Sequence, residues 1–557
     1  MTARPYKILR GAALLAVVLA VYSPSVHHDF IWDDDFYVTR NETLTDLDGL
    51  KRIWLSRSAT PQYYPLTFTT FWIERQIFGL DPEMFHLTNI GLHAANAILV
   101  WLVLASLGIR WAWGAALLFA VHPVNVESVA WISERKNVLS GSFGLASLLL
   151  LLRLYLPGQK PPPPSDPAAD VPCRRAGYAA ALLLFCLALL SKSVVCVMPA
   201  VFLVLVWWKD GSVVRRIPGM LPFFVVGGIA ALNTALIEKH YVGAHGPEWD
   251  FGFLERVLTA GRALWFYVSK LIWPVNLTFI YPQWQVDPWA WGHYLFPAAA
   301  LAVLALFWIA RNRIGRGLFA GTAIFVITLF PALGFVNYYP MQFSFVADHF
   351  QYLAGIALLA LLADGVFRLP GHCRGRPARY LACLLWSGAG MTLSMGAWQT
   401  QDKYENLQAL WEDTLAKNPG CWMAANNLGG VLVRQGRISE AVSCFEASLS
   451  AKPDHLNAAN SLVSLYSAMG AYDKVANVLK SLLEKRPDSA ASTCYNLACI
   501  YSIKGEVETA AEWLKKAIEN GFSLWPLIEA DPDLANLRNS GYYEAIMALQ
   551  PGHSSPP

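Results

Sequence analysis

Charged residues are scarce in this 557-residue chain, since Asp, Glu, Lys and Arg together make up 15% of it. An ordinary soluble domain carries about a quarter. The scarcity is uneven, because long windows between Gly11 and Ala397 carry almost no charge, whereas the stretch after Trp398 is ordinary in composition. We therefore expect an all-α chain in which a polytopic membrane domain is followed by a soluble domain.

The chain also lacks the patterns of several common protein classes. Its nine Cys form no C-x-x-C pair and no Cys/His spacing suited to zinc, which argues against a disulfide framework or a zinc module. It has no glycine-rich phosphate loop. Its basic residues are dispersed between apolar runs rather than gathered in one patch, so we expect no nucleic-acid partner.

Long apolar runs are what the chain does have. About 20 apolar residues are needed for a helix to cross the hydrocarbon core. We predict eleven spans, at 8–26, 86–108, 112–130, 138–157, 177–191, 193–209, 218–237, 291–310, 317–336, 345–367 and 380–398. A further run, 256–275, mixes basic residues with aromatic ones and is predicted to lie in the membrane interface.

This count places every cluster of basic residues between spans on the cytoplasmic side. The start of the chain is then inside, and residues 27–84 and all residues after Trp398 are outside. We expect a multi-pass protein of a bacterial inner membrane with a periplasmic C-terminal domain. The inner connection 158–176 contains Pro161 to Pro164 and is predicted to be a disordered linker.

A repeat follows the last span. Pro419, Pro453 and Pro487 are spaced by 34 residues, which is the tetratricopeptide period, and Gly436, Gly470 and Gly505 recur with them. We predict a membrane domain at 1–400, a helical repeat domain at 401–550 and a disordered tail at 551–557. The repeats are interpreted either as a spacer or as a groove for a peptide or partner protein.

The most acidic segment follows the first span and contains Asp33, Asp34 and Asp35. Adjacent carboxylates raise one another's pKa, so this segment is unfavourable unless a cation or an acceptor group offsets it. Other polar groups return to the same predicted face of the membrane. They are His122, Glu127, Arg135, Lys136, Lys192 and His349. A lysine between two apolar runs, such as Lys192, is a functional candidate, although it can also extend to the interface.

These residues resemble a known family, the C-type membrane glycosyltransferases, and within it the protein O-mannosyltransferases whose transmembrane spans precede tetratricopeptide repeats. The matching residues are Phe30–Asp34 with Asn41, Tyr64–Leu66, His86, Asn89, His93, His122–Ile132 with Arg135, Lys192, Pro274 and Leu277. One departure stands out, because His349 lies where relatives usually have an arginine that contacts the donor phosphate.

The resemblance implies transfer of a mannose-like sugar from a polyprenyl-phosphate donor to Ser or Thr of an acceptor protein on the outer face. We predict Asp34 as the general base, Asp33 as its orienting partner and Glu127 as a second acid. Basic side chains would stabilise the leaving phosphate, and the candidates are Arg135, Lys136, Lys192 and His349. Asp35 and His122 are candidates for contacts with the acceptor or a metal.

Several alternatives stay open at this point. The resemblance favours a reaction without metal, yet a divalent ion held by Asp33 to Asp35 is an alternative cofactor. The acceptor could be a lipid or a glycan instead of a protein. A non-catalytic membrane anchor that presents the repeats as a scaffold is a reading of another class. A transporter fits less well, because the polar groups gather at one face rather than at the midplane.

Overall fold

The computed structural model describes residues 3–156, 167–372 and 376–550, and over these ranges it contains helices and loops but no β-strand. The predicted all-α class is therefore confirmed. The chain divides into two compact units, Met1–Leu410 and Trp411–Pro557.

Within the described ranges the first unit holds fifteen α-helices, and the division falls inside a sixteenth. They are α1 (Ala3–Val21), α2 (Leu47–Leu55), α3 (Pro65–Phe78), α4 (Pro82–Ser106), α5 (Ala112–Val121), α6 (Val126–Ala130), α7 (Arg135–Tyr155), α8 (Pro167–Ser191), α9 (Met198–Asp210), α10 (Ile217–Ile237), α11 (Phe253–Ile272), α12 (Leu295–Ile314), α13 (Gly317–Leu329), α14 (Gly355–His372), α15 (Arg376–Gln401) and α16 (Leu407–Lys417). Short 3-10 and π turns connect many of them.

Six helical segments of the described chain are long and apolar enough to cross a membrane. They are Pro82–Ser106, Ile132–Tyr155, Pro172–Ser191, Ser193–Asp210, Val214–Val242 and Trp291–Ile314. They correspond to six of the predicted spans. The full count of eleven stays a prediction, since the runs at 8–26, 112–130, 317–336, 345–367 and 380–398 do not yield such helices within the described ranges.

The predicted span 112–130 differs most from the structure. Helix α5 ends at Val121, and the chain then turns through a 3-10 helix at Pro123–Asn125 into the five-residue helix α6. The cause is local, because a proline disfavours helical geometry in the residue before it, and His122 is extended here. The turn brings Glu127 and the following residues into the interior of the unit.

Two other predictions concern segments at the edge of the described chain. The predicted linker 158–176 is helical from Pro167 onward, because α8 begins there, so the prediction of disorder is wrong for that part. Residues 157–166, and the predicted tail at 551–557, lie outside the described residues.

The second unit is built from paired helices. After α16 come α17 (Trp422–Arg434), α18 (Ile438–Ala451), α19 (Leu456–Ala468), α20 (Tyr472–Lys485), α21 (Ala490–Ile503), α22 (Val507–Glu519), α23 (Trp525–Ala530), α24 (Ala535–Arg538) and α25 (Tyr542–Met547). Gly436, Gly470 and Gly505 follow α17, α19 and α21 with φ values of 75°, 68° and 79°. Glycine adopts this left-handed conformation without steric cost, which explains its recurrence at each turn between paired helices.

The first hairpin of this unit contains two adjacent glycines with opposite surroundings. A Cβ added to Gly429 would lie 2.8 Å from the Phe445 ring on α18, whereas a Cβ on Gly430 would meet nothing within 4 Å. The close approach of α17 and α18 therefore depends on Gly429 and not on its neighbour.

We expect a fragment of residues 403–550 to unfold cooperatively and Gly429→Val to destabilise it by about 1–3 kcal/mol, through overpacking against Phe445. Urea or thermal unfolding followed by circular dichroism measures this change.

Gly430→Ala is the matched control on the same helix. It should be neutral or stabilising by up to about 1 kcal/mol, because alanine favours a helix over glycine. Equal destabilisation by the two variants would show that the helix contact at Gly429 is not the constraint.

Candidate active site

A left-handed residue, Trp32, precedes the neighbouring acids of the acidic segment. Trp32 has a φ of 48°, which is uncommon for a residue with a large side chain. Its ring packs against Phe279, with the ring centroids 6.4 Å apart. Asp33 and Asp34, which follow this residue, lie in different surroundings.

Asp34 is fully buried and its carboxylate is occupied by three donors. One oxygen accepts the Ile31 N–H at 2.9 Å, and the other accepts the Ser133 N–H at 2.8 Å together with the Ser133 hydroxyl. Burial raises the pKa of Asp34 to about 7, although these hydrogen bonds act in the opposite direction. Asp34 therefore fastens the acidic segment to the turn that precedes α7.

Asp33 is only half-buried, and no described donor forms a hydrogen bond with its carboxylate. The pKa of Asp33 is raised to about 6, because burial and the charge of Glu134 together outweigh the opposing effects of Lys136 and His349. Three charged side chains thus act on one carboxyl group. Of the two acids, Asp33 has the free oxygens that a proton acceptor requires.

These three side chains belong to a larger group, the ionic cluster, formed by Glu127, Glu134, Lys136, Lys192 and His349. One oxygen of Glu134 lies 3.0 Å from Lys136 Nζ, and the other lies 3.1 Å from Lys192 Nζ. His349 Nε2 lies 3.9 Å from Glu134, and His349 Nδ1 lies 2.9 Å from Glu127. The backbone N–H of His349 also donates to Glu127 at 3.1 Å.

An apolar groove of about 950 Å³, the first groove, ends at this cluster. Its walls come from α4, α7, α9, α13 and α14. The polar lining residues are Asn137, Lys192, Thr328, His349 and Tyr352, and the other sixteen are apolar. Asn137 donates from its amide to the carbonyl of His349 at 3.0 Å. The arrangement suits a ligand with a long apolar chain and an anionic head.

Three of the predicted site residues lie elsewhere. Arg135 is fully buried, forms a salt bridge with Glu74 and donates to Asn89 Oδ1 at 2.8 Å and to the Phe85 carbonyl at 2.7 Å. Such bonds hold α3, α4 and α7 together.

His122 and Asp35 also have local partners. His122 Nε2 lies 3.0 Å from the Leu271 carbonyl oxygen. Asp35 accepts from the Thr39 hydroxyl at 2.9 Å and lies 3.5 Å from Arg40. No group of three or more His, Cys, Asp or Glu able to hold a metal occurs within the described ranges.

A chain of hydrogen bonds extends the cluster through residues that the sequence did not single out. Lys136 Nζ donates to the Tyr37 hydroxyl at 3.3 Å, and Tyr37 donates to Gln62 at 2.8 Å. The Gln62 amide donates to Glu238 at 2.7 Å, and Glu238 accepts the Tyr339 N–H at 3.1 Å. An acid directly after the apolar run 218–237 was the available signal for Glu238.

Because Asp34 accepts from three donors, we expect Asp34→Asn to lower the stability of the chain. The asparagine amide would face the Ile31 N–H donor, and one unpaired buried donor costs about 1–3 kcal/mol. Thermal unfolding of the detergent-solubilised full chain measures the effect.

Asp35→Asn provides the control in the same segment. Its side chain is 38% exposed, so the expected change is within about 0.5 kcal/mol. An unchanged melting temperature for Asp34→Asn would contradict the anchoring role.

Comparisons with known proteins agree with this architecture. Two models of the tetratricopeptide repeat match residues 432–497 and 491–520. A mouse relative, "Protein O-mannosyl-transferase TMTC2", is 33% identical over 149 residues, which cover 25% of this chain and 18% of the relative.

Two further relatives carry the same general name. "Protein O-mannosyl-transferase F38B6.6" of Caenorhabditis elegans is 28% identical over 151 residues, covering 25% of this chain and 22% of the relative. Human "Protein O-mannosyl-transferase TMTC4" is 31% identical over 159 residues, covering 24% of this chain and 22% of the relative. The chain thus spans only 18% to 22% of the length of these three relatives. The resemblance to transmembrane protein O-mannosyltransferases with tetratricopeptide repeats is confirmed.

Proposed function

We propose that this chain is a membrane glycosyltransferase that moves a mannose-like sugar from a polyprenyl-phosphate carrier to a hydroxyl group of an acceptor protein. One observation carries the proposal: an apolar groove ends at an ionic cluster whose charges act on the free carboxylate of Asp33. The names of the relatives, protein O-mannosyl-transferases, support the same reaction class.

The first groove accommodates part of the polyprenyl chain, and the phosphate meets the cations at its end. Lys192 is the cation of the cluster that also lines the groove. Lys136 shares the Glu134 carboxylate with Lys192. The two ammonium groups share one carboxylate, so each keeps N–H donors for an anionic leaving group, and no nucleotide or glycine-rich loop is needed.

Asp33 serves as the general base in this proposal, and Asp34 positions it. The acceptor oxygen attacks the anomeric carbon while the bond from that carbon to the phosphate oxygen breaks. The hydroxyl proton passes to Asp33, and the electron pair leaves with the phosphate, which Lys192 and Lys136 stabilise. Attack opposite the leaving group inverts the anomeric centre.

His349 occupies the position where relatives have an arginine. Glu127 holds it through both its ring Nδ1 and its backbone N–H. His349 also lines the first groove beside Lys192. We infer that the His349 ring contacts the donor phosphate, with Glu127 fixing the orientation of the ring. Glu127 is therefore a positioning residue in this scheme.

The repeat unit fits an acceptor-binding role, because tetratricopeptide arrays present extended surfaces to other proteins. It would hold an acceptor protein and raise its local concentration at the membrane unit.

The donor and base roles predict opposite kinetic changes. Asp33→Asn should lower turnover by roughly 100- to 10,000-fold with little change in the KM for donor, because it removes only the proton acceptor. Lys192→Ala should mainly raise that KM, because it removes a phosphate contact. The assay measures labelled sugar passing from polyprenyl-phosphate-mannose to a protein acceptor, with purified full chain.

Asp35→Asn is the control for the acidic segment and should retain activity. In the unaltered chain, the rate should fall as the pH drops through about 6, since a protonated Asp33 cannot accept the proton. Full activity of Asp33→Asn would refute the base assignment, and label found only in lipid would exclude a protein acceptor.

The proposal places the site on the outer face, together with residues 27–84 and the repeats. A Cys introduced at Ser58 should then react with a membrane-impermeant thiol reagent in intact spheroplasts. A Cys at Arg313, at the end of α12, should react only after permeabilisation.

Ser58 and Arg313 are both exposed in the structure, so a difference in labelling reports the side of the membrane on which each position lies. The exposed Cys173 is replaced by serine in both proteins. If only the Arg313 variant were labelled in intact spheroplasts, the orientation would be the opposite of the one proposed.

A further inference from the structure

A second apolar groove, of about 900 Å³, lies between α11 and the three helices α12, α13 and α14. All of its lining side chains are apolar except Thr322, and Trp265 contributes an indole ring. It has no lining residue in common with the first groove. Nothing in the proposed reaction uses it.

Helix α12 forms the open wall of this second groove. None of its residues is fully buried, although it is one of the six apolar helices long enough to span a membrane. Its partly covered residues Ala300, Val303, Leu304 and Phe307 line the groove, whereas Leu301 and Leu306 are exposed. From Ala300 to Phe307 the helix rises about 10 Å, so the groove follows the span for about two turns.

A cation without an acidic partner stands beside this groove. The guanidinium of Arg262 on α11 lies 4.5 Å from the Trp284 ring centroid and 6.0 Å from that of Phe296. No described residue forms a salt bridge or hydrogen bond with it. Trp265, one turn further along α11, lines the groove and donates to the Phe296 carbonyl at 3.0 Å. Arg262 and Trp265 therefore share a helix face.

We propose that the second groove binds one acyl chain of an anionic phospholipid of the bilayer, with the lipid phosphate on Arg262. Arginine binds phosphate through paired N–H donors, and basic pockets between membrane helices select anionic headgroups. A cation that has no ion-pair partner among the described residues, beside a groove lined by apolar side chains except for Thr322, is the complement of such a lipid. The proposal does not depend on the reaction assigned to the first groove.

The polyprenyl carrier is a poorer occupant of this groove. The first groove offers it Lys192 in its lining, with Lys136 and Asp33 nearby, whereas the second groove has no charged lining residue and has Arg262 beside it. The groove also follows α12 for only about 10 Å, which suits a segment of an acyl chain.

A lipid in this position would brace α11 against the transmembrane helices. Leu271 of α11 lines the groove, and its carbonyl oxygen is the partner of His122. The Tyr267 hydroxyl accepts the backbone N–H of Ala347 at 3.3 Å, two residues before His349. The lipid would thus stabilise the helix that supports the segment carrying His349.

The test titrates delipidated full-length chain in neutral detergent with phosphatidylglycerol, with binding read by native mass spectrometry and stability by thermal unfolding. We expect phosphatidylglycerol to bind and raise the melting temperature, and diacylglycerol, which lacks the phosphate, to do neither. Arg262→Gln should weaken binding about tenfold, the loss of one charge-assisted contact. Arg262→Lys should restore part of it.

Two matched controls separate this site from general lipid adhesion. Ala300→Trp fills the groove and should abolish the stabilisation, whereas Ala299→Trp, on the exposed side of α12, should not. Arg313→Gln, at the C-terminal end of α12 and away from the groove, should leave binding unchanged.

Equal effects of the two tryptophan variants, or of Arg262→Gln and Arg313→Gln, would overturn the proposal. So would preferential binding of polyprenyl phosphate that Ala300→Trp removes and phosphatidylglycerol does not displace.

Discussion

The hydrogen bonds that converge on Asp34 hold the candidate site together. Ile31 and Ser133 are about a hundred residues apart in sequence, and one carboxylate accepts N–H groups from both. This contact fixes the acidic segment against the turn from which Glu134 and Lys136 project. The position of Asp33 relative to the ionic cluster, and hence its environment, follows from a bond that its neighbour makes.

A buried ionic cluster is costly unless it has a function that requires it. Taking Glu134, Lys136 and Lys192 out of water carries a desolvation penalty that their mutual attraction repays only in part, and apolar residues of similar size are often as stable. A membrane anchor or scaffold would have no need of two lysines at the end of an apolar groove. An enzyme that stabilises a departing phosphate does, because preorganised cations act most strongly where water is excluded. The cost of the cluster therefore favours the catalytic interpretation over the scaffold.

Composition and periodicity were sufficient to predict the two-part architecture, because apolar runs and a 34-residue repeat each arise from a local pattern. They were insufficient where a single turn changes the path of the chain. His122-Pro123 ends α5 after ten residues, although hydropathy alone extends the run to residue 130. Glu127, Lys136, Lys192 and His349, which the sequence grouped as candidates, lie together in the structure, while their place on the outer face stays a prediction. Arg135, which the sequence placed in the same group, lies outside the cluster, because it forms a salt bridge with Glu74 on α3.

Sequence could not separate the roles of Asp33 and Asp34, because two adjacent carboxylates have the same chemistry until the backbone gives them different neighbours. Both acids follow the left-handed conformation at Trp32, and Asp34 then meets the donors of Ile31 and Ser133 while Asp33 meets the charges of the ionic cluster. A side chain as large as tryptophan disfavours this conformation, so the surrounding packing must hold it there. Trp32 packs on Phe279, and Phe279 packs on Trp131, whose ring is 5.6 Å from Lys136 Nζ. The three rings of Trp32, Phe279 and Trp131 thus connect the left-handed residue to the cations of the cluster. Asp33 adjoins Trp32 in the chain, so its position beside the ionic cluster depends on this aromatic packing as well as on charge.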